Sequence, residues 1–186
     1  MSRHRLVVVA CAGAAALSLP SVASAEETTC RGTLADVKVD NLRVPDGETC
    51  VLNGTRVKGT VKVESDATLR AFGVRVVGNV QGENARKVAV RDGSRVGGSV
   101  QVKQGGKGRV SGSKVKGDIQ FDENGVSLLA ANNKVGGSIQ VVGNDALATI
   151  TDNRVDGNLQ CKENEPPPVG GGNVVQGNKE DQCEAL

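Results

Sequence analysis

Positively charged side chains recur at a regular spacing along this chain, and they are the residues best suited to binding chemistry. Six of them lie about 20 residues apart, each directly before a valine. They are Arg56, Arg75, Arg95, Lys114, Lys134 and Arg154. Guanidinium and ammonium groups repeated in this way can bind the phosphate or carboxylate groups of a linear anionic polymer. The competing interpretation is a solvated cationic face that has no ligand.

Catalytic chemistry has less support in the sequence. The best candidate acidic cluster is Asp118, Asp122 and Glu123, and the next is Glu163 with Glu165. Paired carboxylates could serve an enzyme that cleaves polysaccharides, but the chain has no Trp or Tyr and only 2 Phe, so a sugar would find little to stack on. The only histidine is His4, in the leader segment described below. We therefore predict no enzymatic activity, no catalytic residues and no cofactor, and keep a polysaccharide lyase or hydrolase as the alternative.

Four of the five cysteines, Cys30, Cys50, Cys161 and Cys183, follow the leader. An even number of cysteines behind an export signal is typical of two disulfides. Of the three possible pairings we favour Cys30–Cys50 and Cys161–Cys183, because the members of each pair lie about one repeat apart. Each bond would stabilise the fold by about 3 kcal/mol on the chain-entropy model. A zinc site is the rival interpretation, but CxxC spacing is absent, so we predict no metal.

The first 25 residues have the features of a secretory signal peptide. Arg3 and Arg5 precede an apolar run, and Ala23-Ser24-Ala25 supplies the small residues of a cleavage site. This predicts a secreted, extracellular protein that begins near Glu26, with association with the cell wall as one candidate. Removing the leader lowers the basic count from 23 to 21, against 21 acidic residues. A net charge near zero argues against a nucleic-acid partner, and no membrane partner is expected after cleavage.

A repeated phrase defines the organisation of the chain. Two of its copies are Lys134–Val141 and Arg154–Cys161, and the first valine of each copy falls at 57, 76, 96, 115, 135, 155 and 175. A fixed period of about 20 residues is typical of a solenoid. Valine and isoleucine alternate with polar residues inside the phrase, which predicts a strand, and a second short strand follows in most copies.

These observations predict an all-β, single-domain parallel β-helix with about seven coils of roughly 20 residues and disulfide-capped ends. We expect two strands in each coil and a right-handed winding. The predicted segments are 1–25 as signal peptide, 26–53 as N-terminal cap and first coil, 54–165 as repeats, and 166–186 as Pro/Gly loop and C-terminal cap. Pro166-Pro167-Pro168 is expected to break the ladder, because proline donates no backbone hydrogen bond.

Stacked coils turn each repeated position into a column. The side chains of a glutamine column are predicted to hydrogen-bond to one another along the solenoid axis, with Lys62 at one end of the column. The alternative role of this column is to bind a repeating polymer. The column consists of Gln81, Gln101, Gln120, Gln140 and Gln160. Glycine recurs at 59, 78, 98, 117, 137, 157 and 177 and is predicted to bend the coil, while the Gly, Asn or Asp at 73, 93, 112, 132 and 152 is predicted to form a corner. We expect Asp92, Asp152 and Asp156 to offset part of the repulsion along the basic column.

At Val135–Val141 and its copies the chain resembles a group of secreted actinobacterial repeat proteins with G-G-N-V-Q-V-like coils. Residues 171–183 resemble the terminal stretch of the same group, so the resemblance covers nearly the whole chain after the leader. The group has no assigned activity. More loosely, the chain resembles the bactofilins, parallel β-helices that polymerise end to end, although an export signal and cysteines near both ends depart from that family.

Together, the residues and the resemblance predict a secreted, non-catalytic scaffold with a structural or surface-interaction role. Its candidate partner is a linear anionic cell-wall polymer bound by the basic column. A self-assembling surface protein and a polysaccharide-cleaving enzyme remain the alternatives, and the oligomeric state stays open.

Overall fold

The computed structural model describes residues 26–186, so the predicted signal peptide lies outside the described residues. These residues form 25 short strands arranged in three parallel sheets. The predicted all-β parallel β-helix is therefore confirmed. Nowhere between residues 26 and 186 is there a helix long and apolar enough to cross a membrane.

Each sheet collects one strand from every turn of the solenoid. Sheet A contains β1 (Glu27–Thr29), β4 (Asn41–Val44), β7 (Val61–Val63), β10 (Val80–Glu83), β13 (Val100–Lys103), β16 (Ile119–Asp122), β19 (Ile139–Val142), β22 (Leu159–Lys162) and β25 (Lys179–Asp181). Sheet B contains β2 (Gly32–Ala35), β5 (Thr49–Asn53), β8 (Thr68–Phe72), β11 (Lys87–Arg91), β14 (Lys107–Ser111), β17 (Leu128–Ala131), β20 (Ala148–Thr151) and β23 (Val169–Gly171). Sheet C contains β3 (Lys38–Val39), β6 (Arg56–Val57), β9 (Arg75–Val76), β12 (Arg95–Val96), β15 (Lys114–Val115), β18 (Lys134–Val135), β21 (Arg154–Val155) and β24 (Val174–Val175).

Each turn has three strands, so the prediction of two strands was wrong. The repeated phrase does not form one strand, because the chain bends at its glycine. The Arg/Lys-Val dipeptide before the bend joins sheet C, and the Val-Gln segment after it joins sheet A. At Gly98 an added Cβ would lie 2.0 Å from Asn79 Oδ1 and 3.0 Å from the Gly78 carbonyl oxygen. Only glycine lets neighbouring turns approach this closely at the bend.

The solenoid has about eight turns of about 20 residues, against about seven predicted. At spacings of about 4.8 Å, eight turns give a rod roughly 38 Å long. The additional turn comes from the N-terminal segment, where β1, β2 and β3 each join one sheet. The ladder also continues past the three prolines, since Val169 in β23 pairs with Thr149 in β20. The expected break is therefore absent, because the prolines lie in the loop before β23 and not in a strand.

Aliphatic side chains from all three sheets fill the interior. Val57, Val76 and Val96 from sheet C are at most 2% exposed, their counterparts Val115, Val135 and Val155 are buried as well, and Val175 in the last turn is partly buried. Fully burying one such side chain contributes about 1.5–3 kcal/mol. Phe121 is the largest fully buried side chain, and Gly108 leaves room for it: a Cβ at Gly108 would lie 2.9 Å from Phe121 Cε1.

Polar ladders satisfy the backbone at the corners between sheets. Residues 73, 93, 112, 132 and 152 all have positive φ, between 54° and 79°, so the predicted corner is confirmed. Between sheets C and A, each side-chain oxygen accepts a hydrogen bond from the backbone N–H one turn further on. In order these residues are Asn41, Thr60, Asn79, Ser99, Asp118, Ser138 and Asn158.

Two buried asparagine ladders reinforce the other corners, and the sequence analysis did not predict them. One runs from Asn124 through Asn144 and Asn164 to Gln182, and the other consists of Asn133, Asn153 and Asn173. Every asparagine in them is at most 6% exposed. Their side-chain amides bond to one another and to backbone carbonyls, so buried polar groups find partners within the chain.

Both predicted disulfides are present, Cys30–Cys50 and Cys161–Cys183. All four cysteines are at most 2% exposed and belong to the apolar core. Cys50 lies in register with the buried Leu69, so the first disulfide fills the interior near one end. At the other end Leu186, 9% exposed, packs on the same core. Disulfides are typical of proteins in oxidising, extracellular environments.

Candidate functional site

The six predicted cations form one straight column on the outer face of sheet C. Each is the first residue of a two-residue strand, and the register places each beside its counterpart in the next turn. All six side chains are exposed, whereas the valine that follows each one is buried. Because side chains alternate along a strand, the cations point outward, and the pairing of strands in sheet C sets the spacing between neighbouring cations at about 4.8 Å.

Lys38 extends this column by one position, which the sequence analysis missed. Lys38 pairs with Arg56 and is exposed, so the basic column comprises seven cations from Lys38 to Arg154. Six spacings give a length of roughly 29 Å. Lys38 was missed because its copy of the phrase lacks the glycine. The Lys38-Val39 dipeptide with Leu42 shortly after it was the available signal.

A shallow groove runs beside the middle of the basic column. It has a volume of about 440 Å³, and its lining includes Arg75, Arg95, Lys114 and Lys116. Gly97, which also lines it, has no side chain to obstruct a ligand. The groove therefore presents cations on both sides of a floor that an extended chain could follow.

The acidic neighbours expected to offset the column form no direct ion pair with it among residues 26–186. None of the seven column side chains forms an ion pair within 4.0 Å with any residue in 26–186. Asp156 instead accepts a hydrogen bond from Gln176, and Asp152 accepts one from the Thr151 hydroxyl. Asp92 is exposed and makes no ion pair within this part of the chain.

One ion pair lies next to the column, at its N-terminal end, between Lys58 and Asp40. The hydrogen bond and positive charge of Lys58 lower the pKa of Asp40 below its ordinary value. The corner beside the middle of the column has glycine at 54, 73, 93 and 112 and asparagine at 132. Among residues 26–186, exposed Asp92 is the one acidic residue at this corner beside the stretch from Arg75 to Lys134.

Stacking like charges in the basic column costs free energy, which a bound anion would offset. Two unit charges 4 Å apart repel by about 1 kcal/mol in water, and salt reduces this. Long side chains splay and lower the repulsion further. A polyanion laid along the column would convert this repulsion into attraction at several positions at once.

The glutamine column forms the predicted hydrogen-bonded ladder along the outer face of sheet A. Gln81 donates to Gln101 at 2.9 Å, and the chain of amides continues to Gln160, which donates to Glu180 at 2.7 Å. Lys62 lies in register beside Gln81 at the other end. Because the amides bond to one another, a structural role for this ladder is favoured over recognition of a polymer.

The acids considered for catalysis take part in separate local contacts. Asp118 belongs to a corner ladder and accepts from the Ser138 backbone, whereas Asp122 pairs with Lys103 at 3.0 Å. Asp118 directly precedes β16 and Asp122 is its last residue, so the two lie about 13 Å apart along the chain. Glu123 accepts from Gln104, and Glu163 pairs with Lys162. Across residues 26–186, no group of three or more His, Cys, Asp or Glu side chains could hold a metal ion.

A second group of cations, also missed by the sequence analysis, lies on the outer face of sheet B. It comprises Arg70, Lys87, Arg91, Lys107 and Arg109, on three adjacent strands. The signal was present in the sequence, because Lys87 and Lys107 lie 20 residues apart and Arg70 and Arg109 lie 39 apart, close to two repeats.

Comparison with known proteins gives no protein-family model, no curated protein and no solved structure that matches this chain. The geometry of its own residues therefore carries the functional argument.

Proposed function

We propose that this protein is a secreted, non-catalytic scaffold that docks a linear anionic polymer of the cell wall on its basic column. A wall teichoic acid or an acidic polysaccharide has the required chemistry. One observation carries the proposal: seven exposed cations stand in one line without an ion pair in residues 26–186. Because the chain after the leader has about equal numbers of acids and bases, this line is a local segregation of charge and not a general excess.

The solenoid suits this task because it holds the cations rigidly. Every column residue lies in a strand that is paired on both sides or at the end of a continuous ladder. The polymer therefore meets a surface that is already organised, and the binding free energy is not spent on ordering the protein. Each exposed contact is weak, about 0.2–1 kcal/mol, so affinity depends on engaging several positions simultaneously.

The predicted location agrees with this role. Two buried disulfides suit an oxidising environment, and a signal peptide would deliver the chain to the cell exterior. Salt should weaken the interaction because the side chains of the column are exposed.

The test is the affinity of the protein for purified wall teichoic acid. A variant with Arg75→Gln, Arg95→Gln and Lys114→Gln removes three contacts from the middle of the column. At about 0.2–1 kcal/mol each, their loss should weaken binding by about 3- to 150-fold.

The matched control carries Lys62→Gln, Lys103→Gln and Lys162→Gln on sheet A. It changes the net charge by the same amount but leaves the basic column intact. Unchanged affinity in the control, with weakened affinity in the column variant, supports the proposal. Equal weakening in both variants would show that net charge, and not the column, is responsible.

Self-assembly is a second candidate function, and the N-terminal end of the rod favours it. Strands β1, β2 and β3 are the terminal strands of their sheets, so each has one edge without a partner strand in residues 26–186. Unpaired edges can add a strand from a second copy. Analytical ultracentrifugation tests this: mass that rises with concentration supports end-to-end association, and a constant monomer mass contradicts it.

A further inference from the structure

Five cations make up what we call the sheet B cluster: Arg70, Lys87, Arg91, Lys107 and Arg109. They lie on the adjacent strands β8, β11 and β14. Lys87 and Lys107 are directly opposite each other, and Arg70 and Arg109 flank the same position on β11 from its two sides. Two strand spacings and four residues along β11 place all five within roughly 10 by 13 Å.

The charge is confined to this part of sheet B. In the turns on either side, the corresponding outer positions are neutral, as at Thr49, Val51, Leu129 and Thr149. A uniformly solvated basic face would continue along the sheet as the basic column does on sheet C. The sheet B cluster is instead a compact, two-dimensional patch.

Partners for these charges are missing within the chain. None of the five side chains forms an ion pair within 4.0 Å in residues 26–186. The Nε atoms of Arg91 and Arg109 are buried and have no hydrogen-bond partner among the described residues. Buried donors in proteins are nearly always satisfied, so either ordered water or a bound anion is expected to supply the partner of these two.

Neighbouring residues fix the geometry of the patch. The Arg91 guanidinium lies over the Phe72 ring, 4.7 Å from the ring centroid. This cation–π contact holds a planar donor group in a defined orientation. Lys87, Arg91 and Arg109 are half-buried, whereas Arg70 and Lys107 are exposed and can close over a ligand from either side.

The positive potential of the patch also affects the pKa of Lys87, one of its own residues. Burial lowers the pKa of Lys87, and the charges of Arg70, Lys107, Arg91 and Arg109 lower it further. An anion placed among these side chains would stabilise the ammonium form and raise that pKa again.

We propose that the sheet B cluster is a binding site for a tetrahedral oxyanion, either phosphate or sulfate. Guanidinium groups donate paired hydrogen bonds to such oxygens, and three of the five cations are arginines. Five positive charges in so small an area match a multiply charged group better than a single carboxylate. The site goes beyond the proposed docking of a linear polymer, because it lies on another sheet and fits one compact anion.

Titration calorimetry with inorganic phosphate, pyrophosphate and sulfate, at constant ionic strength, tests the proposal. The wild-type chain should bind at least one of these anions saturably with one-to-one stoichiometry. Glucose 6-phosphate is titrated as a fourth ligand. If it binds too, the site accepts a phosphate group carried on a larger molecule. If only the inorganic anions bind, the natural ligand is the free ion.

Two variants locate the binding. Arg70→Gln with Lys107→Gln changes only exposed side chains, so this variant should fold normally, and it should weaken binding by about tenfold or more. Arg75→Gln with Arg95→Gln removes equal charge from the basic column and should leave oxyanion binding unchanged. In parallel, NMR titration of the Lys87 ammonium should show a higher pKa with bound anion than without.

The absence of saturable binding by the wild-type protein to any of the three inorganic anions would overturn the proposal. Equal weakening in the sheet B and basic-column variants would also overturn it. The outcome is separable from that of the proposed function, because the sheet B variant should still bind wall teichoic acid with wild-type affinity.

Discussion

Replacing Asn144 by alanine should destabilise the protein far more than replacing a half-buried glutamine of the ladder on the outer face of sheet A. Asn144 is fully buried, and its side-chain amide donates to the Phe121 carbonyl at 2.9 Å and to Asn164 Oδ1 at 2.8 Å. Its Oδ1 accepts from both the backbone N–H and the side-chain amide of Asn124. The substitution therefore removes these four hydrogen bonds and leaves the Asn124 N–H without its acceptor, whereas Asn164 Oδ1 keeps the Asn144 N–H and the Asn124 amide keeps the Val102 carbonyl.

The unsatisfied Asn124 N–H should cost about 1–3 kcal/mol, and each of the other three lost hydrogen bonds about 0.5–1.5 kcal/mol. Relaxation and entry of water would recover part of the sum, so we expect a loss of about 3–5 kcal/mol in the free energy of unfolding. Gln120→Ala is the matched control, because Gln120 also has a ladder bond on each side but lies on the outer face. Water can replace those bonds, so the control should lose about 1 kcal/mol.

Urea unfolding followed by circular dichroism measures both variants under the same conditions. The m-values should match that of the wild type, so that the midpoints report stability alone. A loss of about 1 kcal/mol or less in the free energy of unfolding for Asn144→Ala would refute the reasoning that the buried asparagine ladder satisfies the polar groups at the corner. A larger loss for Gln120→Ala than for Asn144→Ala would refute it as well.

Three further predictions concern the core, the disulfides and the sheet B cluster. Val100→Asp buries a lone charge at a fully buried position and should abolish the folded state, whereas a retained β-type circular dichroism spectrum would contradict the stacking. Intact-mass analysis should find no alkylatable thiol in the mature protein, from which the predicted leader with Cys11 has been removed, and Cys30→Ala with Cys50→Ala should cost about 3 kcal/mol; labelling of Cys30 or Cys183 without denaturant, or an unchanged unfolding midpoint, would count against the two disulfides. Folding lowers the pKa of Lys87 below its ordinary value of 10.5, so the charged ammonium form opposes folding at neutral pH. The free energy of unfolding therefore rises as the pH increases from the lowered pKa to 10.5, because Lys87 loses its proton in the folded state first. Lys87→Gln should thus raise the free energy of unfolding at pH 7 by about 0.2–1 kcal/mol and lose this advantage near pH 10.5; reduced stability at pH 7 would contradict the sign.

The architecture could be predicted because the period and the alternation both act on many residues. Arg56-Val57 and its copies recur at 19 or 20 residues, and this fixed which side chains stack and which face outward. The disulfide pairing followed from the same spacing. The number of strands did not follow, because alternation continues across Gly59 and hides the bend that divides the phrase between two sheets.

The polar ladders and the sheet B cluster escaped prediction for a different reason. Asn144 and Asn153 read in sequence as ordinary turn residues, since asparagine favours turns whether it is exposed or buried. The inward direction of these two side-chain amides follows only from the three-dimensional stacking of the coils. Arg70 and Arg109 share a column that Ala89 interrupts, so the charge there becomes visible only when Lys87 and Lys107 are placed beside it in three dimensions.

Co-sedimentation of the protein with purified bacterial cell walls tests the central functional claim most directly. The walls are used intact and after chemical removal of teichoic acid, at low and at high salt. We predict that the protein sediments with intact walls at low salt, is released at high salt, and fails to sediment with stripped walls. Absence of sedimentation with intact walls at low salt, or binding that is unaffected by both salt and stripping, would contradict polyanion docking on the basic column.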